Sequence, residues 1–220
     1  MTMRNLWPTL ITTALIGLTS CTDGQNDGEL PILGNKYTEE ILVDGKPVID
    51  TVYHQIAPFE FKNQDGAAFS SKNVAGKVYV ADFFFTSCPT ICPVMKTQML
   101  RVYDEFKDEP DFLILSHTID PDHDTVELLA DYAVRLGVPN AQTWNFLTGD
   151  QEQIFEIGQT SYLTTAMEDK NELGGYLHSG AFVLVDQRGR IRGVYDGTKE
   201  EQVNRLIKDI PKLLKENGSS

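Results

Sequence analysis

The sequence predicts an α/β domain built on a central mixed sheet flanked by helices. Three observations lead there: β-branched and aromatic runs of strand length, apolar residues at helical spacing between them, and a closing hairpin followed by one last helix. With 220 residues the chain has room for an N-terminal address segment and one ordinary domain. A composition of 41% hydrophobic and 23% charged residues excludes a disordered chain and a membrane protein of many spans.

Residues 53–69 are irregular with short extended pieces, and Asn63-Gln64-Asp65-Gly66 supplies the turn of a hairpin. Gly76 then opens the run KVYVADFFF at 77–85, the central strand, expected to be buried on both faces. Met95, Met99, Val102, Tyr103 and Phe106 recur at helical spacing and predict a helix over 94–106. A second buried strand follows at 112–117. The aspartates of Pro121-Asp122-His123-Asp124 are expected to cap a helix over 125–136. A short strand at 145–147 precedes a helix from Asp150 to about residue 158. Residues 159–177 lack periodicity and read as a loop, the kind of segment that often covers a site. A hairpin joins 181–185 to 191–195 through Gln187-Arg188-Gly189. The closing helix, 199–214, carries Val203, Leu206, Ile207, Ile210 and Leu214. Parallel strands joined by helices and ending in a hairpin and helix describe a thioredoxin-like fold, without internal repeat or second domain.

The N-terminus reads as an address. Arg4 precedes an apolar stretch at 10–18, too short to cross a bilayer core that needs about 20 apolar residues. The stretch ends in Leu18-Thr19-Ser20-Cys21, which resembles a bacterial lipobox. That resemblance implies a signal peptide over 1–21, diacylglycerol on Cys21, and an exported, membrane-anchored lipoprotein on the periplasmic side. Residues 22–52 then form a tether and N-terminal extension, polar and Gly-rich over 22–30, and 53–216 the folded domain. A formal charge of -13 without a basic stripe argues against nucleic acid and would steer a cationic partner toward the protein.

Cys21 aside, Cys88 and Cys92 are the only thiols of the domain, and a close pair in an oxidising compartment is a disulfide, a redox couple or a metal site. They sit in Cys88-Pro89-Thr90-Ile91-Cys92-Pro93, at the junction of the central strand with the next helix. If the segment begins that helix, the sulfurs share one face and the helix N-terminus favours thiolate. Three residues separate them where a thioredoxin-like oxidoreductase has two, which leaves more freedom to hold a metal than to close a tight catalytic disulfide. Soft thiolates suit Cu(I) or Zn(II), and two of them leave room for a third ligand. His178, just before the strand at 181–185, lies where a thioredoxin fold usually places a proline against the cysteines, and no proline occurs between Pro139 and Pro211. Its imidazole beside two cysteines could hold copper as Cu(I) or Cu(II).

These residues resemble a known family. DFFFTSCPTICP at 82–93, TIDPDHDT at 118–125, Leu147-Thr148-Gly149 and His178-Ser179 are similar, in order and spacing over about 57–214, to the successive blocks of Sco/SenC proteins. The resemblance implies one copper held by Cys88, Cys92 and His178 and delivered to the copper-A centre of cytochrome c oxidase. It makes the copper-receiving oxidase subunit a partner, with other copper chaperones as further candidates. Many members carry Asp where this chain has Thr90, a change that bears on local charge and redox tuning.

The alternative is a thiol–disulfide oxidoreductase that reduces an oxidase subunit's cysteines before metallation, with Cys88 as nucleophile and a Cys88–Cys92 disulfide as its oxidised form. A peroxidase is the weaker third reading, because Thr86 stands two residues before Cys88 where peroxiredoxins place Thr three before. His117 and His123 read as ordinary histidines near the site, and Met95 and Met99 as core. For His54 the sequence names no partner.

Overall fold

The structure is a computed structural model that describes residues 28–169 and 175–216. The apolar N-terminal stretch and Cys21 lie outside the described residues. The first described elements are strands β1 (Lys36–Val43) and β2 (Lys46–Tyr53), a hairpin that the sequence reading did not assign. Its two-residue turn, Asp44-Gly45, takes positive φ at both positions (52° and 74°), the geometry that matches the twist of paired strands.

Strands β3 (Glu60–Lys62) and β4 (Ala68–Ser70) form the expected hairpin, closed by a bond from the Gly66 amide to the Asn63 carbonyl. One helical turn, α1 (Ser71–Val74), follows a Ser70/Asn73 capping box.

The main sheet then builds up in order. It runs through β5 (Val78–Phe84), α2 (Cys92–Phe106), β6 (Phe112–Thr118), α3 (Val126–Arg135), β7 (Trp144–Leu147) and α4 (Gln151–Glu156). A π-helical turn, Ile157–Ser161, leads to the short pair β8 (Ala166–Glu168) and β9 (Tyr176–His178). The hairpin β10 (Ala181–Val185) and β11 (Ile191–Asp196) and the helix α5 (Glu200–Glu216) close the domain. Strand order is β11-β10-β5-β6-β7, with β5, β6 and β7 parallel to one another and β10 antiparallel to both its neighbours, β5 and β11. This is the central mixed sheet that the sequence predicts.

Every residue of β5 and β6 is buried, as expected of strands covered on both faces. The stripe Met95, Met99 and Val102 of α2 has no exposure, and Val203, Leu206, Ile210 and Leu213 of α5 likewise. Each such side chain is worth about 1.5–3 kcal/mol of burial. Met95 and Met99 are core residues, as read.

Three local expectations change. Thr125, not an aspartate, caps α3, accepting from the Leu128 amide. Asp124 is instead wholly buried, where it accepts from the Thr86 amide at 3.0 Å and from the Thr86 and Thr118 hydroxyls. Helix α2 begins at Cys92, so Thr86 to Ile91 form a turn outside it. The stretch 159–177, read as a loop, contains the end of the π turn, β8 and the start of β9. Strands of three residues are too short to show a period.

Candidate metal centre

The loops at the carboxyl ends of β5 and β6 form the crevice in which open α/β sheets place their chemistry. Cys88 sits in the turn after β5, with its amide donating to the Phe85 carbonyl, and Cys92 is the first residue of α2. His178 ends β9, which is held by pairing with β8 through Ala166. The three side chains converge. His178 Nε2 lies 3.3 Å from Cys92 Sγ and 3.8 Å from Cys88 Sγ, and the three ligand atoms all fall within 4.8 Å of one another. Among the described residues this is the one such group of metal-binding side chains, and all three members are buried.

The spacing fits a metal. Bonds of about 2.0–2.3 Å place trigonal or tetrahedral ligand atoms roughly 3.3–4 Å apart. Two sulfurs and one imidazole are a soft donor set, suited to copper or zinc. Phe85 packs edge-on against the His178 ring at 5.8 Å and at a tilt against the Tyr176 ring at 5.3 Å. The Tyr176 hydroxyl donates to Asp120 at 3.0 Å, tying β9 to the loop that follows β6.

The two thiols are electrostatically unlike. Burial opposes ionisation of Cys88, but hydrogen bonds from the Thr90 hydroxyl (Oγ1 at 3.5 Å), the Thr90 and Cys92 amides and the Cys92 thiol hold its pKa below the ordinary thiol value. Burial pushes Cys92 well above that value, opposed by the charge of Lys96. Burial also lowers His178, keeping the imidazole a neutral ligand; Asp82 opposes that shift and Lys96 adds to it. Thr90 therefore supplies a polar contact to Cys88 without adding charge.

The other histidines are elsewhere. His117 is fully buried among Phe59, Phe61, Phe83 and Tyr162, at 5.0 Å from the Phe83 ring, and burial lowers its pKa to about 4. His123 is exposed and bonded to Asp124 at 3.0 Å, which raises its pKa. His54, for which the sequence named no partner, donates from Nε2 to the Ser161 carbonyl at 2.7 Å. A groove of about 710 Å³ lined by Phe59, Phe61 and Ile157 contains none of the three ligands, and the donor atoms rather than cavity size define the centre. The sequence reading missed Lys96, buried one helical turn after Cys92; its signal was its place on the apolar face of α2.

Residues 50–215 match the SCO1/SenC family model. The chain belongs to the SCO1/SenC family. A SCO1/SenC family lipoprotein from Bacillus anthracis shares 32% identity with this SCO1/SenC member. That structure superposes with a TM-score of 0.67, covering 73% of this chain and 95% of its own. BsSco, described as a member of the Sco family of cytochrome c oxidase assembly proteins in which a disulfide switch was identified, is 31% identical. Its TM-score is 0.64, over 73% of this chain and 93% of its own. Arabidopsis thaliana ScoI, solved with copper bound, is 25% identical with a TM-score of 0.58, over 71% and 98% of the two chains. The thioredoxin-like fold of these Sco structures is the fold of this chain.

Proposed function

We propose that this SCO1/SenC member is a copper metallochaperone that holds one copper ion through Cys88, Cys92 and His178 and delivers it to the copper-A centre of cytochrome c oxidase. The observation that carries this reading is the convergence of two sulfurs and one imidazole nitrogen within 4.8 Å of one another. Support comes from the copper bound to Arabidopsis ScoI and from the description of BsSco as an oxidase assembly protein.

Copper is here the cargo. Its capture displaces the two thiol protons, and Cys88, the more easily ionised thiol, engages first. Cys92 and the neutral imidazole then complete the site. Release proceeds by ligand exchange, in which the receiving subunit's thiolates replace Cys88 and Cys92 in turn.

The asymmetry of the thiols favours one second reading, reduction of the receiving subunit's cysteines. The Cys88 thiolate attacks the partner's disulfide, releasing one partner thiolate and forming a mixed disulfide. Cys92 thiolate then attacks Cys88 Sγ, freeing the second partner thiolate. Two electrons pass to the partner and a Cys88–Cys92 disulfide remains.

The chain is a lipoprotein anchored through Cys21 on the periplasmic side, supported by the lipobox and by the B. anthracis lipoprotein relative. Among the described residues no helix is long and apolar enough to cross a membrane. Arg192 grips the carbonyls of Leu30 and Pro31 and the carboxylates of Asp186 and Glu216. Asp186 follows Val185, which pairs with Tyr79 near the start of β5. Leu30 and Pro31 thus lie at the sheet end opposite Cys88.

The test is transfer. Copper-loaded chain is mixed with a reduced, metal-free soluble domain carrying the oxidase's dinuclear site. Copper moves from wild type; its retention by the chain would contradict the chaperone. The same domain offered with its cysteines oxidised and no copper present separates the reductase.

A further inference from the structure

One charged pair sits where charge is costly. Lys96, 3% exposed, places Nζ 2.8 Å from Asp82 Oδ2, and Asp82 has no exposure at all. Ser116 completes the cluster. Its hydroxyl accepts from Lys96 at 3.2 Å and from Trp144 Nε1 at 2.9 Å and donates to Asp82, so its one proton and both lone pairs are used. The ammonium also lies 4.1 Å over the Phe84 ring. A buried ion pair is seldom better for stability than an apolar filling of the same volume, so its place in the fold calls for another account. That place is beside the metal centre. Lys96 follows Cys92 by one turn on the same face of α2, and Asp82 lies on β5, the strand that leads into Cys88.

We propose that Lys96 and Asp82 set the oxidation-state specificity of the copper site, Lys96 favouring Cu(I) and Asp82 opposing it. The inference rests on the copper-binding reading above. Two thiolates and a neutral imidazole around Cu(I) carry one net negative charge, whereas around Cu(II) they carry none. A positive charge close by in a poorly screened interior stabilises the first state relative to the second, and a negative charge does the reverse. Both charges reach the ligands. Burial dominates the pKa values of Cys92 and His178, and the next contributions come from Lys96 at Cys92 and from Asp82 and Lys96 at His178.

The experiment measures Cu(I) affinity by competition with a chromophoric Cu(I) chelator and Cu(II) affinity by titration followed by electron paramagnetic resonance, at one pH. Taking their ratio cancels the cost of deprotonating the thiols, which both states share. Lys96→Met is expected to lower the Cu(I)/Cu(II) ratio about tenfold and Asp82→Asn to raise it by a similar factor. Thermal unfolding of each variant accompanies the titrations. A purely structural pair would weaken both affinities in both variants without opposite movement of the ratio. That result, or unchanged ratios, overturns the proposal. If Lys96→Met fails to fold, the direction of Asp82→Asn alone decides. Failure of the wild type to bind copper in either state would instead sink the underlying copper-site reading.

Discussion

Cys92 Sγ and His178 Nε2 stand 3.3 Å apart although 86 residues separate them in the chain. The sulfur is placed by the first turn of α2 and the nitrogen by the pairing of β9 with β8, so two independent elements fix one contact. The chemistry of the dithiol can therefore be separated from that of the imidazole.

Replacing His178 with Ala leaves both thiols in place and removes one ligand. Copper affinity is expected to fall by more than about 100-fold, beyond the roughly 10–100-fold loss usual for a residue that merely supports a ligand. Exchange of the dithiol with a small disulfide stays within about threefold of wild type, since that reaction needs no imidazole. Copper competition and stopped-flow exchange check the two arms.

Alkylation with iodoacetamide distinguishes the thiols. Cys88, held below the ordinary thiol value, reacts first as pH is raised, and Cys92 lags far behind because burial opposes its ionisation. Peptide mapping after short exposures at a series of pH values reads the order. Equal rates at every pH would contradict the assignment.

His117 ties stability to pH. Its pKa is lowered from 6.5 to about 4 by burial, so the folded chain keeps the ring neutral while the unfolded chain takes up a proton below 6.5. The contribution is full above the unfolded value and is lost as pH falls from 6.5 toward 4, amounting to about 3 kcal/mol. Denaturant unfolding across that window should show this slope in wild type and lose it in His117→Leu.

Asp124 acts as a clasp on the cysteine turn. With its carboxylate gone, the Thr86 amide and the Thr86 and Thr118 hydroxyls lose their buried acceptor, at a cost of about 2–4 kcal/mol in Asp124→Ala. Urea unfolding measures the loss. Copper binding should weaken as well, because Thr86 lies two residues before Cys88.

The β1–β2 hairpin contrasts with this rigidity. It forms a two-stranded sheet of its own and exposes Leu42 and Ile49, at 73% and 67%. A lone hairpin is marginal in water, so its amides are expected to exchange with deuterium much faster than those of β5.

Much of this was legible in the sequence because strong patterns report strong constraints. KVYVADFFF is a strand because both faces are buried, and the cysteines, Pro89 and Pro93 mark a strand–helix junction. His178 was found by its position before β10, although β9, the strand that carries it, is too short to show alternation. Asp124 was misread because an aspartate ahead of a helix usually caps it, and nothing local shows that Thr86 competes for its carboxylate. Lys96 was missed because a lysine on an apolar stripe ordinarily reaches for solvent, and its partner Asp82 lies on another element. The β1–β2 hairpin carried a plain signal in Asp44-Gly45 within a segment read as extension.

The central claim is tested most directly by titrating the reduced soluble domain with copper and following bound metal and thiolate-to-copper absorption, in wild type and in Cys88→Ala, Cys92→Ala and His178→Ala. The account predicts one tightly bound copper per wild-type chain and its loss from each variant. A wild type that binds no copper and merely cycles a Cys88–Cys92 disulfide would contradict it and leave the thiol reductase standing.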